Sequence, residues 1–339
     1  CSSDLAAQFS LPLRIRQKIQ TLPCELGQIR ANSACLRHRN RRRIQLAMDT
    51  IRLGAVTIDR IVETEGLGFY PGFLFPQADL EALHDEAHWL APQFFDPGSG
   101  RLRQSLHGFL IRTPRHTVLL DTCVGNDKPR PSSRAWHMQD LPWLETLQKA
   151  GARPEAIDVV LCTHLHVDHV GWNTRLQNSR WVPTFPNARY LFHRTEYAYW
   201  EATREMDPSI GYGRTENSFE DSILPVEEAG LVELVDDGYR IDEFLTVTLM
   251  AGHSPGHIVL NVHGEDGTVR GIFTGDILHH PIQCAYPNWN SRYCLDAEAA
   301  RRSRNGLVDQ CVDADRLIFP THFAAPTAGR ITSAGTRAR

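Results

Sequence analysis

Apolar residues recur along the chain in short runs rather than long ones, and these runs set most of the predicted elements. Ile157-Asp158-Val159-Val160-Leu161-Cys162 reads as a fully buried strand. Val118 to Asp121, Ala188 to Phe192, Ile258 to Val262, Gly271 to Phe273 and Arg316 to Phe319 share that character. Ile51, Leu53, Ala55, Thr57 and Ile61 alternate instead, which predicts two short strands of a first sheet. Leu106 to Asp121 predicts a hairpin turning at Thr113-Pro114-Arg115-His116. Leu231 to Val235 and Phe244 to Leu249 are expected to begin the strands of a second half. Helical periodicity covers Leu141 to Gly151, Glu196 to Glu205 and Asp296 to Val312, with Gly151 as a terminator and Asp296 as an N-cap. Trp172 to Pro186 reads as a surface segment, and residues 206–225 as polar and irregular.

Two stretches break this pattern. Residues 64–104 are punctuated by Gly66, Gly68, Pro71, Gly72, Pro76, Pro92 and Pro97, yet carry Phe69, Tyr70, Phe73, Phe75, Trp89, Phe94 and Phe95. A long connection of that kind is functional or disordered, and its aromatics argue for order. It is expected to form a lid or pocket wall, with a homodimer contact as the alternative. Residues 1–47 have no apolar periodicity and precede the first methionine, Met48. They hold nine Lys/Arg against two Asp/Glu, which leaves 27 against 38, or −11, for the remainder. They are expected to be a disordered or non-native extension to a hydrolase domain over 48–339, with a basic nucleic-acid or membrane arm as the alternative. Ile331 to Arg339 stops abruptly, so a final strand is expected beyond it.

Composition changes the picture little: 339 residues, 42% apolar and 22% charged, are ordinary for a globular chain. No apolar run reaches the roughly twenty residues of a bilayer span. The eight cysteines form no CxxC pair, which predicts reduced thiols in a cytoplasmic protein, with Cys162 and Cys311 as core fillers.

The candidate chemistry lies in Thr163-His164-Leu165-His166-Val167-Asp168-His169-Val170-Gly171. On an extended chain His164, His166 and Asp168 share one face, and His169 joins them only if the backbone turns, which Gly171 makes easy. Three imidazoles and a carboxylate at this spacing are metal-ligand composition, although a solvated His-rich loop has it too. Three further residues, each following a strand-like run, decide between the two: His253 in Gly252-His253-Ser254-Pro255-Gly256-His257, Asp276 in Phe273-Thr274-Gly275-Asp276, and His322 in Phe319-Pro320-Thr321-His322.

This ordered set resembles that of the metallo-β-lactamase-fold hydrolases, over roughly residues 50–330. The resemblance implies an α/β fold, a four-layer αββα sandwich of two similar halves, and a binuclear site. In that site His164, His166 and His253 hold the first metal, Asp168, His169 and His322 the second, and Asp276 bridges them. A metal-bridging hydroxide then attacks the substrate, with Asp168 as a candidate proton donor to the leaving group. Ligands of this type suit Zn2+, and Mn2+, Co2+ or Fe2+ equally by type alone. Asp121 is placed to orient a ligand or merely to cap its turn. His257 is expected to support the loop carrying His253, and His263 to lie at the surface. His279 follows the bridging aspartate by three residues, where acyl-homoserine lactonases often place a substrate-facing tyrosine and methyl parathion hydrolase-like enzymes a histidine. His279 is therefore a candidate catalytic residue, with His280 pointing elsewhere.

What is missing narrows the branch. Ile277-Leu278-His279-His280-Pro281 is unlike the glyoxalase II continuation, and no lysine follows the metal loop to take a β-lactam carboxylate. A nuclease needs a basic track that the −11 remainder lacks. The expected partner is a small, neutral, apolar substrate beside aromatic walls, for which Trp172, Trp181, Phe192, Tyr197, Trp200 and Trp289 are candidates. A lactone or carboxylic ester is expected, with a phosphotriester as the alternative. A mononuclear-iron sulfur dioxygenase and a member without chemistry are more distant readings.

Overall fold

Successive residues of the central strands turn to opposite cores, and that alternation builds the layers. In the computed structural model, the described residues are 50–204 and 217–334, with the backbone of 337 and 338. The extension expected over 1–47 lies outside them. The chain begins with β1 (Ile51–Leu53) and β2 (Val56–Leu67), then α1 (Pro71–Leu74), α2 (Leu80–Asp85), α3 (Ala87–Leu90) and β3 (Phe95–Asp96). It continues through β4 (Arg101–Arg112), β5 (Thr117–Leu120), α4 (Trp143–Lys149), β6 (Val159–Leu161), α5 (Val167–Val170) and the hairpin β7 (Thr174–Gln177) and β8 (Arg180–Pro183). Next come β9 (Arg189–His193), α6 (Arg194–Thr203), a π-helical turn (Phe219–Ile223), α7 (Leu224–Glu228) and β10 (Val232–Val235). The last part runs β11 (Leu245–Leu249), β12 (Ile258–His263), β13 (Val269–Gly275), α8 (Ile282–Ala285), α9 (Ala297–Cys311) and β14 (Leu317–Pro320).

The first sheet has the order β1-β2-β4-β5-β6-β9-β10, with β3 paired to β4; the second has β11-β12-β13-β14. Phe109, Ile111, Val118, Leu120, Val159, Leu161 and Leu191 of the first sheet meet Val247, Ile258, Leu260, Val262, Phe273 and Phe319 of the second in one buried cluster. Their chain neighbours Leu110, Leu119, Val160, Tyr190 and Phe192 face outward onto Trp143 and Leu147 of α4 and onto Tyr197, Trp200, Phe219, Ile223 and Val226. On the far side Val259, Ile272 and Ile318 pack on Leu307, Val308 and Cys311 of α9. Helix, sheet, sheet, helix is the expected αββα sandwich.

Several local expectations are corrected. β10 pairs parallel with β9, so it closes the first sheet rather than opening the second half; an apolar run carries no mark of its sheet. The segment after the metal loop forms the β7–β8 hairpin, and Trp172 and Phe185 beside it are buried in the α4–α6 core. The expected irregular stretch turns helical from Phe219, whose spacing to Ile223 and Val226 puts all three on one buried face; residues 205–216 lie outside the described ones. The aromatic insert begins only after β2, at 68, and ends before β4. Its Leu74, Phe75, Leu83, Leu90 and Phe95 pack on Ile282 and Trp289.

Candidate metal centre

The ends of β6, β13 and β14, and the turn leading into β12, bring their following residues to one rim. His166 has an extended backbone, φ −66° and ψ 156°, and caps the single turn α5. The change from a two-residue to a 3.6-residue period partitions the motif. His164 and His166 stay on one extended face, while Asp168 and His169 swing to a second position. Gly171 continues the turn in the ordinary right-handed region, with φ −61° and ψ −47°, so the turn does not use its extra conformational freedom. A Cβ there would lie 1.8 Å from the Val124 carbonyl oxygen, so close approach requires the glycine.

Two groups of potential ligand atoms result: His164, His166, His253 and Asp276 in one, Asp168, His169 and His322 in the other. In the first, His166 Nδ1 is 2.9 Å from both His164 Nε2 and His253 Nε2. Asp276 Oδ2 is 3.2 Å from His253 Nε2 and 3.8 Å from His164 Nε2. Asp276 Oδ1 turns the other way, 3.0 Å from His322 Nε2 and 3.4 Å from His169 Nε2. Asp168 completes this second group at 3.6 Å from His322 Nε2 and 3.8 Å from His169 Nε2. Ligand atoms around a tetrahedral zinc stand about 3.3 Å apart, given Zn–N and Zn–O lengths of about 2.0–2.1 Å. His169 Nε2 and Asp276 Oδ1 are buried and make no hydrogen bond. Orphaned donors at this spacing fit divalent metal ions.

The electrostatics agree. Burial, reinforced by neighbouring imidazoles, pushes His164 and His166 well below the ordinary histidine range, which keeps their nitrogens neutral. Burial also disfavours charge on His253 and His169, but Asp276 outweighs it, raising His253 to about 9 and His169 well above its ordinary value. Asp276 is held ionised by His322, His279, His169 and His253 against its burial. The outer nitrogens are held as metal sites need. His169 Nδ1 lies 3.0 Å from Asp121 Oδ2, whose other oxygen accepts from the Thr163 amide at 2.8 Å. Thr163 Oγ1 is 3.1 Å from His164 Nδ1, and His322 Nδ1 is 3.2 Å from the Ser105 carbonyl. Asp121 is therefore an orienting residue, not only a turn cap.

With this geometry the relationship to known proteins is direct: residues 107–322 match the metallo-β-lactamase superfamily. The chain belongs to that superfamily. It is a hydrolase by that membership. Among solved structures it is similar to the hydrolase AbOPH of the β-lactamase superfamily, at 23% identity over 85% of this chain and 94% of that one, with a TM-score of 0.69. It is also similar to AidC, a dizinc quorum-quenching lactonase in complex with an acyl-homoserine product, at 18% identity over 87% and 97%, TM-score 0.70. A probable metal-dependent hydrolase from Staphylococcus aureus aligns at 17% identity over 80% and 91%, TM-score 0.64. No curated protein matches the chain by sequence.

Against the superfamily's αββα frame, the expected site residues all arrive at the rim. His279 joins them, with Nε2 3.1 Å from Asp276 Oδ2 and its ring stacked on His322 at 5.6 Å. Burial lowers it to about 3. His257 closes the turn that carries His253, its amide donating to the Ser254 carbonyl at 3.4 Å, and its side chain also holds a second loop, where Nε2 accepts from the Asp276 amide at 3.0 Å. Of the proposed aromatic walls, Trp172, Phe192 and Tyr197 belong to the α4–α6 core, and Trp181 covers the buried Lys128 ammonium at 3.6 Å. Trp200 does reach the site, 5.3 Å from the His166 ring, and Trp289 lies under the insert. The insert is less cation-poor than its sequence, because Arg292 sits 4.0 Å over Phe73 and Arg101 5.5 Å over Tyr70.

Residues invisible in the sequence pattern fasten these parts. Gln283 Oε1 accepts from the His279 amide at 2.7 Å, and Cys294 Sγ lies 3.6 Å from His253 Nδ1. The order of the sequence holds no signal for either contact. His280 points away from the ligand groups, as expected: its Nε2 donates to the Phe94 carbonyl at 2.8 Å and its Nδ1 accepts from the Ile282 amide at 3.2 Å. It thereby pins the insert to the site. Burial lowers it to about 4 from 6.5. A depressed folded value means the stabilisation is complete above pH 6.5 and is lost as pH falls through 4. The difference is worth about 3 kcal/mol, at 1.36 kcal/mol per pH unit. The stability gap between the wild type and His280→Gln should therefore narrow by that order between pH 6.5 and 4 in urea titrations. A gap that stays constant with pH would refute the pinning by a neutral imidazole.

Proposed function

We propose that this protein is a two-metal hydrolase of neutral lactones or related carboxylic esters, with zinc as the preferred ion. The observation that carries the two-ion reading is Asp276, whose oxygens face separate ligand groups. The seventh ligand, Asp168, completes the second group, which a one-iron dioxygenase does not need. Two ions held there would supply Lewis acidity to the substrate's electrophilic oxygen and acidity to water. The remaining steps fall to side chains of this chain. Asp168 keeps 14% of its side chain exposed, unlike the histidines around it, and in this reading it takes the proton released by the attacking water and hands it to the departing alkoxide. Thr163 and Asp121 hold His164 and His169 in the tautomers that leave their inner nitrogens free. The aromatic insert packs on the neighbouring segment through Ile282 and Trp289.

The choice of a lactone rests on that insert, whose exposed Tyr70 and Phe73 offer apolar surface, and on the likeness to the lactonase AidC. The phosphotriester reading is favoured by one specific feature, an imidazole rather than a phenol at His279. A small neutral substrate, a cytoplasmic location and a homodimer contact through the insert, whose Tyr70, Phe73 and Leu80 are exposed, belong to the same proposal. Among the described residues no helix is long and apolar enough to cross a membrane. The test is a panel of an acyl-homoserine lactone, an aryl ester and a methyl phosphotriester on zinc- and manganese-loaded protein. We expect kcat/KM for the lactone to exceed that for the phosphotriester by about tenfold or more, a difference of about 1.4 kcal/mol in transition-state binding. The reverse order would replace the lactonase reading by the phosphotriesterase one.

A further inference from the structure

Behind each ligand group lies one buried glutamate with the same set of partners. Glu196, in the first turn of α6, accepts from the Leu165 amide at 3.1 Å, the Gly256 amide at 2.8 Å and the Trp200 indole N–H at 2.6 Å. Leu165 stands between His164 and His166, and Gly256 stands in the turn that carries His253. This one carboxylate therefore ties together the two loops that supply the first group's imidazoles. The approach is tight: a Cβ on Gly256 would lie 2.2 Å from the Glu196 nitrogen. Trp200, held by the same carboxylate, rests its ring against His166.

Glu63 repeats the arrangement behind the second group. It sits where the β2–β4 register shifts between Val62 and Thr64. A bulge of this kind re-aims a side chain out of the regular alternation. Glu63 accepts from the Val124 amide at 3.1 Å, the Gly125 amide at 3.0 Å and the Trp172 indole N–H at 2.9 Å. Val124 and Gly125 continue the turn that begins at Asp121, and Trp172 follows the helical turn that carries Asp168 and His169. The two strips are also joined directly, by the Trp172 amide to the Thr122 carbonyl at 2.8 Å and the Gly171 amide to the Cys123 carbonyl at 2.7 Å. Trp172 is wedged by stacking on Trp143 at 5.4 Å.

We propose that Glu196 and Glu63 are a pair of positioning residues, each setting the spacing of one ligand group independently of the other. The inference rests on the two-ion reading and adds a selectivity that the reading alone does not contain. Carboxylates that merely satisfied loop amides would stabilise the fold without preference for either ion. A positioning pair divides the labour. Glutamine in place of either glutamate keeps the volume but turns an amide N–H toward one of the three donors, so one strip shifts and the other group is left as it was.

The experiment titrates zinc into the metal-free full-length protein against a competing chelator and reads the two stepwise dissociation constants. His253→Ala and His322→Ala identify which step belongs to which group, and cobalt(II) absorption gives each group a spectrum. Glu196→Gln is expected to weaken the step lost in His253→Ala by about 10- to 100-fold, the usual scale for outer partners of ligands, and to leave the other within about threefold. Glu63→Gln should do the reverse. Trp200→Phe and Trp172→Phe remove only the indole donors and should show the same selectivity at smaller size, which decides the matter if a glutamine variant does not fold. Equal weakening of both steps by each variant, or a lowered melting temperature with unchanged zinc affinities, overturns the proposal. A wild-type protein that binds a single zinc would overturn the two-ion reading instead, and is seen before any variant is made.

Discussion

Asp276→Asn should reduce zinc content from about two ions per chain to one or fewer and lower kcat/KM by roughly a thousandfold or more, the scale of several kcal/mol of lost transition-state stabilisation. Among the described residues the carboxylate is the side chain that faces both groups, with Oδ2 3.1 Å from His279 and 3.2 Å from His253, and Oδ1 3.0 Å from His322. Asparagine keeps a single acceptor. Whichever group receives its oxygen, the other faces an NH2 that cannot act as a ligand and that meets imidazole nitrogens free to accept only if they are not bound to metal. The surroundings of Asp276 stay in place, since its amide is held by His257 and its turn by Gly275, where a Cβ would lie 2.6 Å from His257 Nε2. The loss should therefore appear in metal content and rate rather than in folding. Elemental analysis after dialysis, beside steady-state kinetics, checks it, and an Asn variant that retains two zinc ions would show that the bridge is dispensable.

The ligands themselves were legible in the sequence because each follows a strand. A strand end delivers the next residues to a rim, and short continuous apolar runs identified the strands; Val159-Val160-Leu161 before His164, Ile272-Phe273 before Asp276 and Ile318-Phe319 before His322 are the cases that mattered. The division of His164 and His166 from Asp168 and His169 could not be derived from an extended chain alone, since it depends on the switch to α5. The sheet to which β10 belongs was equally hidden, because edge position is fixed by a partner distant in sequence. The residues that hold the ligands were the least visible. Glu63 reaches Trp172 across 109 positions, and Gln104 reaches the His279 carbonyl across 175 at 3.5 Å, whereas Asp121, at a strand end, was the one such residue the sequence did offer. Nothing local distinguishes such a glutamate or glutamine from a solvated one. A bulge at Glu63 carries no sequence signature either, since the alternation of Ile61, Val62 and Thr64 can be read in either phase.

Chelation should make stability fall with rising pH where the zinc-loaded protein stays level. In the metal-free protein His253 is raised to about 9 from 6.5, chiefly because Asp276 overcomes the cost of burying its charge, and His169 and His322 are raised for the same reason. A raised folded value contributes stability that is complete below pH 6.5 and is lost as pH rises through 9. His253 alone accounts for a loss of about 3 kcal/mol across that window, at 1.36 kcal/mol per unit. His164 and His166, lowered well below 6.5, act only on the acid side and do not offset it. In the loaded protein a bound imidazole carries no proton, like the unfolded one above pH 6.5, so this loss is absent, and zinc affinity rises between pH 6.5 and 9 by the same amount. Zinc at about a thousand times its dissociation constant adds about 4 kcal/mol per site to the folded state, which corresponds to a melting-temperature shift on the order of 10 °C or more for a chain of this size. Melting curves of zinc-loaded and chelator-stripped protein at pH 6.5 and pH 9 should consequently diverge, with the gap widening toward pH 9. A gap that narrows with rising pH would mean that the imidazoles raised by Asp276 are not the groups that take the metal.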